Sequence, residues 1–79
     1  MTAFDLFQQA TVQIQYGQKF NAASSLTAAI AQIDRDGVDA YMRADLVALR
    51  KSLLGTPLRA AYDVRTAASD AWTDAKQFA

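Results

Sequence analysis

Apolar residues recur at helical spacing in four runs, and the residues between the runs are turn formers. In the first run Ala3, Phe7, Ala10 and Ile14 share one face. Thr2 stands where a capping hydroxyl is needed, and Asp5 at the third helical position completes an Asp form of the capping box. The pattern predicts a helix over about 3–16, stopped by Gly17 as a left-handed residue. The second run, with Leu26, Ala29, Ile30 and Ile33 inside and Ser24, Thr27, Ala31 and Arg35 opposite, predicts a helix over 22–36 capped by Asn21 and ended by Gly37. Asp34 and Asp36 fall at its negative end, where local propensity predicts fraying.

Met42, Leu46, Leu49 and Leu53 form the third stripe, on a helix expected over 40–54 with Asp39 as cap and Gly55 as stop. Thr56-Pro57 is a start signal for a fourth helix over 57–76. Its expected inner arc is Ala61, Val64, Ala68, Ala71, Trp72 and Ala75; Arg59, Asp63, Thr66, Asp70, Asp74 and Gln77 lie opposite. No alternating β-branched run is flanked by turn chemistry, so no strand is expected. The connections are short, which favours antiparallel neighbours. The expected fold is all-α: a compact four-helix single domain over residues 1–79, built as two antiparallel helical hairpins.

The two expected hairpins echo each other at an offset of 38, with Gly17, Phe20, Ala22 and Ala23 matching Gly55, Leu58, Ala60 and Ala61. Farther along, Leu26 matches Val64 and Ala29 matches Ala67. A Gly followed by Ala at five, an apolar residue at nine and Ala at twelve resembles the second half of a tetratricopeptide motif. The Trp-Leu-Gly positions of that family's first helix and its closing Pro are missing, and the offset exceeds the family's roughly 34-residue repeat. What the echo implies without the family is a tight turn followed by small residues that let two helices approach closely.

Composition narrows the chemistry. The 79 residues include eight Lys+Arg and eight Asp+Glu, for a formal net charge of zero, which argues against a chain whose main work is gripping nucleic acid or anionic membrane. There is no Cys and no His, so disulfides, thiolate sites and the commonest general base are excluded. Every acidic residue is Asp, and 17 residues are Ala; with the arginines this fits GC-rich coding and suggests a bacterial, phage or mobile-element source. The start of the chain lacks a basic n-region, and Asp5, Gln8 and Gln9 interrupt any apolar core, so no signal peptide is expected. No apolar run is long enough for a membrane span, and the expected compartment is the cytoplasm.

Candidate constellations mostly fail on inspection. Asp34-Arg35-Asp36-Gly37 has the look of a calcium loop, but such a loop would need ligands where Gln32 and Arg43 stand. The serines have no His to activate them, no Gly-rich phosphate loop exists, and Lys19, Lys51 and Lys76 lack an evident desolvating pocket. No enzymatic activity, cofactor or metal is expected. A helix-turn-helix DNA-binding regulator, with Gly37-Val38 as the turn and Arg43 and Arg50 on the second helix, is the alternative; Arg43 stands where that pattern wants an apolar residue.

What remains is apolar surface outside the core stripes. Arg43, Val47, Arg50 and Leu54 repeat at four, three and four residues, a quarter turn from the Met42–Leu53 stripe. Apolar residues rimmed by arginines are an interface composition. These four are the expected protein-binding residues, with Val12 and Tyr16 as a second candidate. The expected function is a small non-catalytic protein-binding module: an adaptor, an assembly subunit or an inhibitor. Its partner is expected to be a protein, with homo-oligomers open and no membrane.

Overall fold

A computed structural model describes residues 1–55, 65–66 and 68–74. These are all-helical in their regular structure, with no strand among the described residues. Helix α1 runs Ala3–Gln15, α2 runs Lys19–Asp36, a short 3-10 turn covers Ala40–Met42, and α3 runs Arg43–Gly55. Residues 65–66 and 68–74 are helical as well.

The start of α1 follows its sequence. Thr2 Oγ1 accepts from the Asp5 N–H and Asp5 Oδ2 accepts from the Thr2 N–H, both at 3.1 Å. At the other end Gly17 takes φ +73°. Its N–H reaches the Ile14 carbonyl at 3.0 Å, and the Gln18 N–H reaches Gln13 at 2.8 Å. This double return satisfies carbonyls that the helix end would leave bare. It is also so tight a turn that α2 begins at Lys19, with the Ala22 N–H already bonded to the Gln18 carbonyl. Asn21 is therefore not the cap expected of it. It lies inside the first turn of α2 and reaches only the Gln18 side chain, at 3.4 Å.

The far end of α2 runs to Asp36, the end its pattern predicts. Asp36 accepts from Gln32 Nε2 at 2.8 Å and from the Val38 N–H at 2.9 Å, while Gly37 turns the chain at φ +71°. These donors offset the unfavourable helix dipole. Asp39 also departs from expectation. It adopts the left-handed conformation at φ 59° and makes no side-chain cap; the chain enters α3 through the 3-10 turn, closed by the Met42 N–H on the Asp39 carbonyl. Asp tolerates this region better than most residues. Gly55, expected as a left-handed stop, is the last residue of α3 and has no positive φ. The echo between Gly17 and Gly55 therefore does not extend to backbone conformation.

One core joins the described segments. Phe7, Ile14, Leu26, Ile33, Met42, Leu46, Leu49 and Leu53 are buried in it, together with Ala68 and Trp72. The expected stripes of the first three helices are thus the buried ones. The Trp72 ring lies 5.1 Å from Phe4, edge on, and 5.1 Å from Phe7, which fixes its helical stretch against α1. Ala71, expected inside, is exposed, whereas Thr66, Asp70 and Asp74 are exposed as expected. Ala61, Val64, Ala75, Arg59, Asp63 and Gln77 lie outside the described residues, as do both ends expected for the fourth helix.

Candidate functional site

The strip Arg43, Val47, Arg50 and Leu54 lies on α3, and its two arginines reach α2. Arg43 Nε donates to Asp34 Oδ1 at 2.7 Å and Nη2 to Oδ2 at 3.3 Å, a two-point pair in which both side chains stay about half exposed. Arg50 Nη1 donates to the Thr27 hydroxyl at 3.2 Å, and that hydroxyl donates in turn to the Ala23 carbonyl. Val47 is half-buried against the core. Leu54 is turned outward and 56% exposed, while Leu53 beside it is 1% exposed. The four residues share the face their spacing implies, but the arginines are engaged by α2 rather than projecting freely.

Electrostatics follow from these contacts. The Arg43 hydrogen bond holds the Asp34 carboxyl below the ordinary 3.8, and the same bond raises Arg43. The Gln32 amide, then the Val38 N–H, lower Asp36 in the same way. Both carboxylates are solvated, so these are modest surface effects.

Further exposed apolar residues gather at the two ends of α2. At its start stand Tyr16, 74% exposed, and Phe20, 69% exposed, with Lys19 Nζ lying 5.2 Å from the Phe20 ring centre. Beyond its far end Val38 and Tyr41 are exposed, and the Tyr41 hydroxyl donates to Asp39 at 3.2 Å. Val12 is exposed too, so the second candidate pair from α1 is surface rather than core. Phe20 escaped the sequence reading because α2 was expected to begin at Ala22, which left Phe20 in a turn. Its spacing to Thr27, one helical heptad, is the signal that places it on the same side of α2 as the Arg50 contact.

Two small concavities lie among the described residues. One of about 350 Å³ lies over Gly17–Asn21, and one of about 200 Å³ is lined by Thr11, Arg65, Thr66, Ser69 and Asp70. Among the described residues no three acidic side chains gather as a metal site, and no helix is long and apolar enough to cross a membrane. No family model matches the chain, and no curated protein or solved structure matches it significantly.

Proposed function

We propose that the chain is a small non-catalytic protein-binding module, an adaptor, assembly subunit or inhibitor of cytoplasmic bacterial, phage or mobile-element origin. In this reading its helices form two antiparallel hairpins and its partner meets the α2–α3 face. The pairing of Arg43 with Asp34 and of Arg50 with Thr27 bears on the face between the hairpins: α2 and α3 run antiparallel there, since moving forward along α3 means moving back along α2. The observation that carries the reading is Leu54: a large aliphatic side chain left in water beside Arg50, at the end of a strip whose other apolar member, Val47, is half covered. Apolar groups next to arginine are frequent anchors of protein interfaces.

The helix-turn-helix alternative would put Arg43 and Arg50 on phosphates, and here both guanidinium groups face acceptors on α2. DNA binding that falls steeply with salt would favour it. The test of the main reading is capture from the native host with wild-type chain and with the double variant Arg43→Ala, Arg50→Ala. The variant is expected to fold as wild type, because exposed pairs contribute only about 0–1 kcal/mol. It is expected to lose a specifically captured protein by tenfold or more, roughly the 1.4 kcal/mol effect of an interface arginine. Undiminished capture would place the binding site elsewhere.

A further inference from the structure

The first half of α2 lies beside basic residues and its far end is acidic, and each end also exposes apolar side chains. Lys19 stands at the start of α2, and Arg50 and Lys51 lie one turn before the end of α3, level with the middle of α2; none of the three meets a carboxylate among the described residues. Between them Phe20 and Leu54 are more than half exposed. The interhelical register brings these two close. Arg43 faces Asp34 and Arg50 faces Thr27, so continuing the count sets Leu54 level with Ala23, within one turn of Phe20. At the opposite end of α2 come Asp34, Asp36 and Asp39, with Val38 and Tyr41 exposed among them. Arg43 there is paired with Asp34, and Arg35 is a further cation on the last turn of α2. The 18 residues of α2 separate the two ends by about 25 Å, too far for one end to cover the other within a molecule.

We propose that the Lys19–Phe20–Arg50–Lys51–Leu54 end docks the Asp36–Val38–Asp39–Tyr41 end of a second copy of this chain, head to tail. The proposal rests on the protein-binding reading above and names its partner. Charge complementarity selects the pairing: basic meets basic if two copies join by the same end, whereas basic meets acidic only head to tail. In each contact an exposed apolar pair meets another, Phe20 and Leu54 against Val38 and Tyr41. Such a heterologous contact leaves one end of each kind free, so it propagates into a ring or an open chain rather than stopping at two. The patches are small, so association is weak and sensitive to salt.

Sedimentation velocity of the full chain over a concentration series tests this. The mass is expected to grow with concentration past the dimer at low ionic strength, and association to weaken roughly tenfold when about 0.5 M salt screens the ends. Two variants define the geometry: Phe20→Asp with Leu54→Asp removes one end, and Val38→Lys with Tyr41→Lys removes the other. Each alone is expected to be a folded monomer by circular dichroism. Their equimolar mixture is expected to regain the association that each variant lacks alone, since one intact end of each kind remains. A wild-type chain that stays monomeric at low salt and millimolar concentration overturns self-docking while leaving the capture experiment to judge the protein-binding reading. Association that stops at a dimer and is unaffected by salt, or folded variants that do not restore each other, overturns the head-to-tail geometry.

Discussion

Three glycines with the same local look end up in two different roles. Gly17 and Gly37 sit at positive φ, where a Cβ meets strain even though nothing crowds it within 4 Å, whereas Gly55 is an ordinary helical residue with equal space. Gly17→Ala and Gly37→Ala are each expected to cost about 1 kcal/mol or somewhat more. Gly55→Ala should be neutral or stabilise by up to about 1 kcal/mol. Urea unfolding of the three variants checks this, and equal losses at all three would contradict it. The sequence marks where a chain is permitted to turn left-handed, but Gly in the last turn of a helix looks the same whether it uses that freedom or not. The carboxylates make a second residue-scale case. Asp34 and Asp36 are lowered by their donors, so the folded state holds protons less readily than the unfolded one. Their contribution is present above the ordinary carboxylate value and is lost as pH falls through the lowered ones. The double variant Asp34→Asn, Asp36→Asn is therefore expected to flatten the acid limb of stability against pH. Parallel acid limbs for variant and wild type would refute the role given to Arg43, Gln32 and the Val38 N–H.

At the scale of elements, the stripes of the first three helices and the start of α1 were legible, and the starts of α2 and α3 were not. The 4-3-4 stripe of α3 and the caps of α1 rest on spacing within one helix, which sequence states directly. The starts of α2 and α3 depended on what the preceding turn did. The Gln18 N–H bond to Gln13 left no room for Asn21 to act as cap, and the left-handed Asp39 gave α3 a 3-10 lead-in. The same divide holds for the candidate site. Arg43, Val47, Arg50 and Leu54 were visible as a strip, but their partners Asp34 and Thr27 lie nine and 23 residues away, and that pairing depends on helix register. An element-scale consequence concerns the Thr2 cap. Thr2→Ala is expected to destabilise by about 1 kcal/mol, and Asp5→Asn by less, since the amide still accepts the backbone bond. Thermal melts resolve the order, and a larger loss at Asp5 would contradict it.

In the whole molecule a single tryptophan reports on the joining of its helical segments. Trp72 is fully buried against Phe4 and Phe7, and its indole N–H finds no hydrogen-bond acceptor among the described residues. Its emission is expected at short wavelength in the folded chain, moving to the red when urea unfolds α1 and the 68–74 stretch together. Trp72→Ala should cost about 3–5 kcal/mol. Trp72→Phe should cost much less, because it also removes a buried donor that lacks a partner. Native emission like that of free tryptophan would place the ring in water and contradict the packing.

The division of α3 into a side that folds the molecule and a side that is left to bind is the claim on which the functional reading depends. Adjacent leucines test it. Leu53 is buried and Leu54 is in water, although the sequence offers two identical side chains in succession. The measurement is the free energy of urea unfolding for Leu53→Ala and Leu54→Ala, made side by side. Leu53→Ala is expected to lose about 2–5 kcal/mol. Leu54→Ala is expected to stay within roughly 0.5 kcal/mol of wild type, as surface substitutions do. Comparable losses in the two variants would show that Leu54 belongs to the core, and the binding face assigned to α3 would go with it.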